Sequence, residues 1–189
     1  MLYDKDIREP LFDFLEEAYG KLRIIEEKQV GKSRADIVMV LPGLLTGIEI
    51  KSDADSYVRL SRQVKDYDRF FDRNMVVAGS SHAAHVREHV PGWWGIITVE
   101  QNDREIDFYV LRQPQENPMM NWKRKLSLLW RPELAHIQEL TAMPRYKEKS
   151  KAFVIEKILA KVPGEQLSVL VSEELFERDY TRIEEVIRA

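Results

Sequence analysis

Cysteine is absent from the 189 residues. That excludes a disulfide-stapled scaffold and any cysteine-bearing zinc site, and it suits a reducing compartment. Long apolar runs are missing too. The strongest candidate, the run from Ile37 to Leu45, is broken by Pro42 and Gly43, well short of the roughly 18 residues a membrane span needs. The first ten residues, MLYDKDIREP, carry charge at once, unlike a signal peptide, so the expectation is a cytoplasmic protein with no membrane partner. No segment repeats, and none is of low complexity. Nor does one sign of charge dominate: 29 Lys and Arg against 32 Asp and Glu leave −3, which taken whole speaks against a nucleic-acid partner. Apolar residues are plentiful, at 44%. That is enough for a sizeable core, and the length suits one compact domain, with room for a small appendage.

Periodicity orders the chain. Ile7, Leu11, Phe14, Leu15 and Ala18 recur at helical spacing within Asp4–Tyr19, although Pro10 moves the expected start toward Arg8–Pro10. Strands are expected over Arg23–Val30, Asp36–Leu41 and Leu45–Lys51, the second so apolar that both its faces should be buried. A helix with Leu60, Val64, Tyr67 and Phe71 on one stripe follows. Then come a strand (Met75–Ala78), a helix (His82–His89), a strand (Trp94–Val99) and a hairpin partner (Ile106–Leu111). After a polar linker, Gln113–Pro118, helices are expected over Trp122–Leu140, Ser150–Val162 and Gly164–Arg178. The sum is an α/β protein: a mixed central sheet flanked by helices over residues 1–112, and a helical C-terminal region, subdomain or lid, over residues 113–189.

Three residues stand against this pattern. Asp36 opens an apolar strand, and Glu49 and Lys51 interrupt another. Residues i and i+2 share a strand face, so Glu49 and Lys51 point together while Ile48 and Ile50 point into the core. A desolvated carboxylate and ammonium are costly, and need a reason. Two carboxylates converging at a sheet edge make a hard-oxygen site for Mg²⁺ or Mn²⁺, with Lys51 beside it to handle a proton or developing charge. The spacing alone is weak, because Asp13, Glu26 and Lys28 repeat it; those three lack the apolar strand context. Gln63 and Tyr67, at i and i+4 on the next helix, can stack on one face beside the strand. The plain alternative is a salt-bridged trio on a solvent-facing sheet.

Asp36…Glu49-Ile50-Lys51, preceded by a helix and followed by Gln63-x-x-x-Tyr67, resembles the PD-(D/E)XK nuclease superfamily, and the trailing pair is similar to the version in RecB-type nuclease domains. Asp6-Ile7-Arg8, Arg34-x-Asp36 and Glu49-Ile50-Lys51-Ser52-Asp53 are similar to its small bacterial and phage members, to which MmcB-like DNA-repair proteins are related. Over roughly residues 4–111 the resemblance implies a restriction-endonuclease-like core and a Mg²⁺- or Mn²⁺-dependent DNA phosphodiesterase working in DNA repair, processing or phage–host DNA metabolism. It implies Asp36 and Glu49 as metal ligands, Lys51 as the catalytic lysine, and Gln63 and Tyr67 as the accessory pair. Glu9 fits by order the first-helix acid that some members add to the metal. Ala35 stands in place of the motif's proline, a departure that many members tolerate.

The implied partner is DNA, with RNA, a second copy or a protein partner left open. Divided rather than averaged, the charge allows this. From Met119 to Lys151 eight bases, among them Lys123, Arg124, Lys125, Arg131, Arg145 and Lys147, face three acids, giving +5. That stretch is either a solvated helix face or a DNA-backbone patch. Arg59, Arg62, Lys65, Arg69 and Arg73 add bases around the second helix. His82, His85 and His89, at i, i+3 and i+7, read as a solvated face before a zinc site, and Trp93–Trp94 as a core anchor before a base-stacking platform. The competing function is a catalytically silent nuclease-like fold that binds DNA or a protein partner.

Overall fold

Alternating and helical hydrophobic patterns become, in a computed structural model describing residues 2–103 and 105–180, one six-stranded sheet with helices on both faces. The elements run α1 (Asp4–Tyr19), β1 (Arg23–Val30), β2 (Ser33–Leu41), β3 (Leu44–Lys51), α2 (Leu60–Phe70), β4 (Arg73–Gly79), α3 (Ser80–Ala83), β5 (Gly95–Asn102) and β6 (Glu105–Arg112). Four helices follow: α4 (Trp122–Ser127), α5 (Arg131–Leu140), α6 (Lys151–Lys161) and α7 (Gly164–Phe176). The strands lie in chain order, with β3, β4 and β5 parallel and all other neighbours antiparallel. Each parallel step is made by a crossover through helical or irregular chain, and each antiparallel step by a tight turn.

The continuous apolar run of β2 is explained by two-sided burial. Ile37 and Met39 join Ile48, Ile50, Met75 and Val77 under α1, which contributes Ile7, Leu11 and Leu15. Val38 and Val40 join Leu45, Val76 and Ile96 on the other face, against Leu60, Val64 and Tyr67 of α2. The same cluster continues into Leu126, Leu134, Ile137, Val154, Ile158, Leu167, Val171 and Leu175, so the C-terminal helices close this second face. Each such side chain, taken from water, contributes on the order of 1.5–3 kcal/mol.

A buried polar clasp fixes the join. The ammonium of Lys125 is fully buried and donates to both oxygens of Asp72 at 2.7 and 2.8 Å, with the Trp122 ring 4.7 Å away. Asp72 also accepts from the Leu45 amide at 2.7 Å, tying the clasp to β3.

Three expected elements come out differently. α1 begins at Asp4, not near Arg8–Pro10, because Asp6 accepts from the Tyr3 amide at 3.0 Å and starts the helix before the proline. Pro10 then lies inside it, at the loss of one backbone bond. The expected helix Trp122–Leu140 is two helices. Pro132 cannot continue the first, and the Glu133 carboxylate accepting from the Trp130 amide at 2.6 Å opens the second. His82–His89 is one turn of α3 and a 3₁₀ turn, Val86–Glu88, so its histidines do not share a helix face.

Candidate active site

Antiparallel register brings Asp36 near Glu49: Ile37 pairs with Ile48, each the chain neighbour of one acid, and both acids line one cleft. β3 can bring them close to α2 because residue 47 is glycine. A Cβ there would lie 2.3 Å from the Phe71 ring and 2.7 Å from Tyr67. The absent side chain lets α2 settle onto the strand, which brings Gln63 and Tyr67 within bonding range of Glu49.

The resulting network is dense. Glu49, 1% exposed, accepts from the Lys51 ammonium at 2.7 Å, from the Gln63 amide, and from the Tyr67 hydroxyl at 2.6 Å. The Lys51 ammonium also donates to the Gln63 carbonyl oxygen at 3.1 Å. The Tyr67 hydroxyl accepts from the Asp36 amide at 3.1 Å, so one phenol ties both acid-bearing strands. One oxygen of Asp36 accepts from the Ile50 amide at 2.8 Å; the other lies 4.0 Å from Arg8. Arg8 is chiefly occupied by Asp4, Glu26 and Glu27.

Electrostatics sharpen the picture. Burial, then the charge of Glu49, pushes the Asp36 carboxyl up to about 8, against the opposing pull of the Ile50 amide and Lys51. The Tyr67 phenol is pushed well above its ordinary range by burial, with the Glu49 and Asp36 charges adding to it. Around these acids opens a polar cleft of about 470 Å³, lined by Asp36, Glu49, Lys51, Gln63, Arg8 and Lys32 among others. Ile50 lines it as well, while its side chain packs on the opposite face of the sheet. Its main chain is therefore what the cleft meets.

Asp36, Glu49, Lys51 and Gln63 thus share one cleft. Tyr67 is fully buried beneath it and acts on the two acids rather than on anything in the cleft. Glu9 is exposed and does not line it; one turn earlier and one residue back, Asp4 and Arg8 do. The burial of Ile7, Leu11 and Leu15 against the sheet sets that phase. Among the described residues no cluster of three or more His, Cys, Asp or Glu side chains is arranged to hold a metal. A cation here would rest on the two carboxylates, the main chain and water.

The basic stretch disperses. Lys125 is sealed in its clasp. Lys123 pairs with Glu156 at 2.8 Å, Arg145 with Glu139, and Arg131 donates to the Tyr146 carbonyl at 3.1 Å. Arg124 and Lys147 are exposed, away from the cleft lining. Besides Arg8 and Lys51, the cleft bases are Arg59 and Arg62, noted from sequence, Arg34 of β2, noted there only within Arg34-x-Asp36, and Lys32 of the β1–β2 turn, which was not. A base-bearing turn directly before Asp36 was the available signal. His82 and His89 pack on the Tyr57 ring at 4.7 and 4.0 Å. Trp94 is buried and, like Trp93, donates to Asp68, at 2.8 and 3.2 Å.

Fold and site together define an α/β protein with paired carboxylates and a lysine in a polar cleft on one mixed sheet. By sequence, the chain belongs to the Bacteriophage P4 protein cII family, whose family model matches residues 1–185. Protein cII of Enterobacteria phage P4 is 28% identical over 101 residues, which is 53% of this chain and 38% of that protein. The match thus spans about two fifths of the relative's length. Among solved structures, SfsA of Pyrococcus furiosus in complex with Ca²⁺ aligns over 59% of this chain and 62% of that one. Its 16% identity and TM-score of 0.37 are too low to carry an argument. Among the described residues no helix is long and apolar enough to cross a membrane.

Proposed function

We propose that the cleft is the active site of a divalent-metal-dependent nuclease that hydrolyses phosphodiester bonds of DNA. The observation that carries this reading is a charge mismatch. A buried acid, Glu49, and a half-buried one, Asp36, converge, one ammonium compensates Glu49, and Asp36 is left to hold a proton up to about pH 8. A site built this way favours a further cation, and its donors are oxygens, the preference of Mg²⁺ and Mn²⁺. Asp36 and Glu49 would hold the ion, with the Ile50 main chain beside them. When bound it supplies positive charge to a phosphoryl oxygen and lowers the pKa of water.

The chain's own groups do the rest. Lys51, within reach of Glu49 and Gln63, is placed to orient the attacking water or to neutralise the charge that develops on the phosphate. Gln63 and Tyr67 hold the Glu49 carboxylate in one orientation, and Tyr67 keeps β2 in step with it. The test is incubation of purified protein with linear, supercoiled and single-stranded DNA in Mg²⁺ or Mn²⁺. Cleavage lost in EDTA and in Lys51→Ala supports the mechanism; cleavage that survives both overturns it.

A specific observation favours a second reading, a nuclease-like binding protein without turnover. Glu49 already has partners on both oxygens, so its network is complete without a ligand. That reading expects DNA or partner binding unchanged in Glu49→Gln and no metal-dependent cleavage.

A further inference from the structure

We infer that Lys32, Arg59 and Arg62 form the phosphate-backbone contacts of this protein, gripping a DNA strand on both walls of the cleft, in place of the C-terminal bases. The inference rests on the reading of the cleft as a phosphodiester site. The three side chains come from separate parts of the chain. Lys32 lies in the β1–β2 turn, Arg59 in the 3₁₀ turn Tyr57–Arg59 that leads into α2, and Arg62 in the first turn of α2. All three are exposed and line the same cleft as Asp36, Glu49 and Lys51. Arg59 and Arg62 are also beside the N-terminus of an 11-residue helix, whose dipole adds to a positive field.

Their charges are unspent. None of the three side chains makes an ion pair among the described residues, although acids line the cleft with them. Those acids are engaged elsewhere: Glu27 by Arg8 and Arg34, Asp4 by Arg8, and Asp55 by the Ser52 amide and hydroxyl. Of the C-terminal bases, Lys123, Lys125 and Arg145 are each paired to a carboxylate, and the exposed Arg124 and Lys147 lie outside the cleft.

The two walls are also held at a set distance from each other. Buried Asp66 of α2 accepts from the Lys32 amide at 3.2 Å and the Ser33 hydroxyl at 2.7 Å, pinning the turn onto the helix. Gly31, at φ 60°, allows this contact: a Cβ there would lie 2.6 Å from the Asp66 carboxylate. The backbone that presents Lys32 is thus fixed to the helix that presents Arg62. A ligand carrying regularly spaced negative charge matches two fixed cationic walls around a phosphodiester-cleaving centre.

The test is the salt dependence of binding of a fluorescein-labelled linear duplex, by anisotropy in EDTA so that no cleavage intervenes. Lys32→Ala, Arg59→Ala and Arg62→Ala are each expected to weaken binding roughly five- to tenfold near 0.1 M salt. Each should also flatten the slope of log K against log salt by about 0.9, the signature of one lost phosphate contact. Arg62→Lys, which keeps the charge, should keep the slope. Affinity and slope unchanged in all three alanine variants would overturn the inference, as would a loss confined to Lys123→Ala and Arg145→Ala. Cleavage by a wild-type protein whose three variants bind normally sinks the inference and leaves the nuclease reading standing. Binding lost in the variants of a protein that never cleaves sinks the nuclease reading alone.

Discussion

Two buried lysine–carboxylate pairs sit on the same side of the sheet in different surroundings. Lys51 meets Glu49 at 2.7 Å, with side chains 5% and 1% exposed; Lys125 meets Asp72 at 2.7 Å, with side chains 0% and 14% exposed. Their chemistry is the same. What differs is the surroundings. The first pair has a second carboxylate beside it and a cleft in front of it. The second is closed over by the Trp122 ring and fastened to the Leu45 amide. A buried ion pair is therefore not in itself a sign of function; an uncompensated neighbour and access to a ligand are. Asp36 supplies both for the first pair.

The largest separation of the two is expected from activity. On the proposed mechanism Lys51→Ala lowers the DNA cleavage rate by about 10²–10³-fold, the usual worth of one preorganised donor to the charge of the transition state. Lys125→Met should alter the cleavage rate of the folded protein little and show itself instead in urea unfolding. Removing one partner of a buried pair leaves Asp72 uncompensated and costs about 3–5 kcal/mol. Equal losses of stability in the two variants, with equal activities, would break the distinction.

Gly47→Ala comes next. It pushes a methyl group against Phe71 and Tyr67, and overpacking of this kind costs about 1–3 kcal/mol. Because the same contact seats α2 beside Glu49, the thermal melting temperature and the cleavage rate should fall together.

The smallest effect sharpens the comparison through pH. Asp36 releases its proton near pH 8 in the folded chain and near 3.8 when unexposed to its neighbours, so between those values the folded state holds the extra proton. Its contribution to the stability of the metal-free protein is thus full below about pH 4 and is lost as pH rises through about 8. Asp36→Asn should flatten that part of the melting-temperature profile, and Mn²⁺ should raise the wild-type melting temperature more at pH 8 than at pH 6. A wild-type profile that instead rises from pH 4 to 8, with no change in Asp36→Asn, would contradict the charge mismatch at the cleft.

Much of this was legible in the chain itself. A continuous apolar run marked β2, and alternation in β3 placed Glu49 and Lys51 on one face and Ile48 and Ile50 on the other. The i, i+4 spacing brought Gln63 and Tyr67 to one side of α2. The first helix was less legible: Pro10 suggested a later start, and Glu9, chosen by its order in the family pattern, is exposed while Asp4 and Arg8 line the cleft. A local cap overrode the proline signal. The bases of the C-terminal region misled for another reason: a count of charges cannot register that Lys125 is buried or that Lys123 and Arg145 already have acidic partners.

By itself, then, the sequence determined the strands and helices, the faces they bury and the residue types that meet at the end of β3, because these follow from local periodicity and the cost of desolvating charge. Only the tertiary structure decided which charges remain available. Ion pairs take up Lys123, Lys125 and Arg145 among the C-terminal bases, Arg124 and Lys147 lie outside the cleft, and Lys32, Arg59 and Arg62 are left facing it. Whether a charge is neutralised depends on distances of a few ångströms across the fold, and those are set by packing.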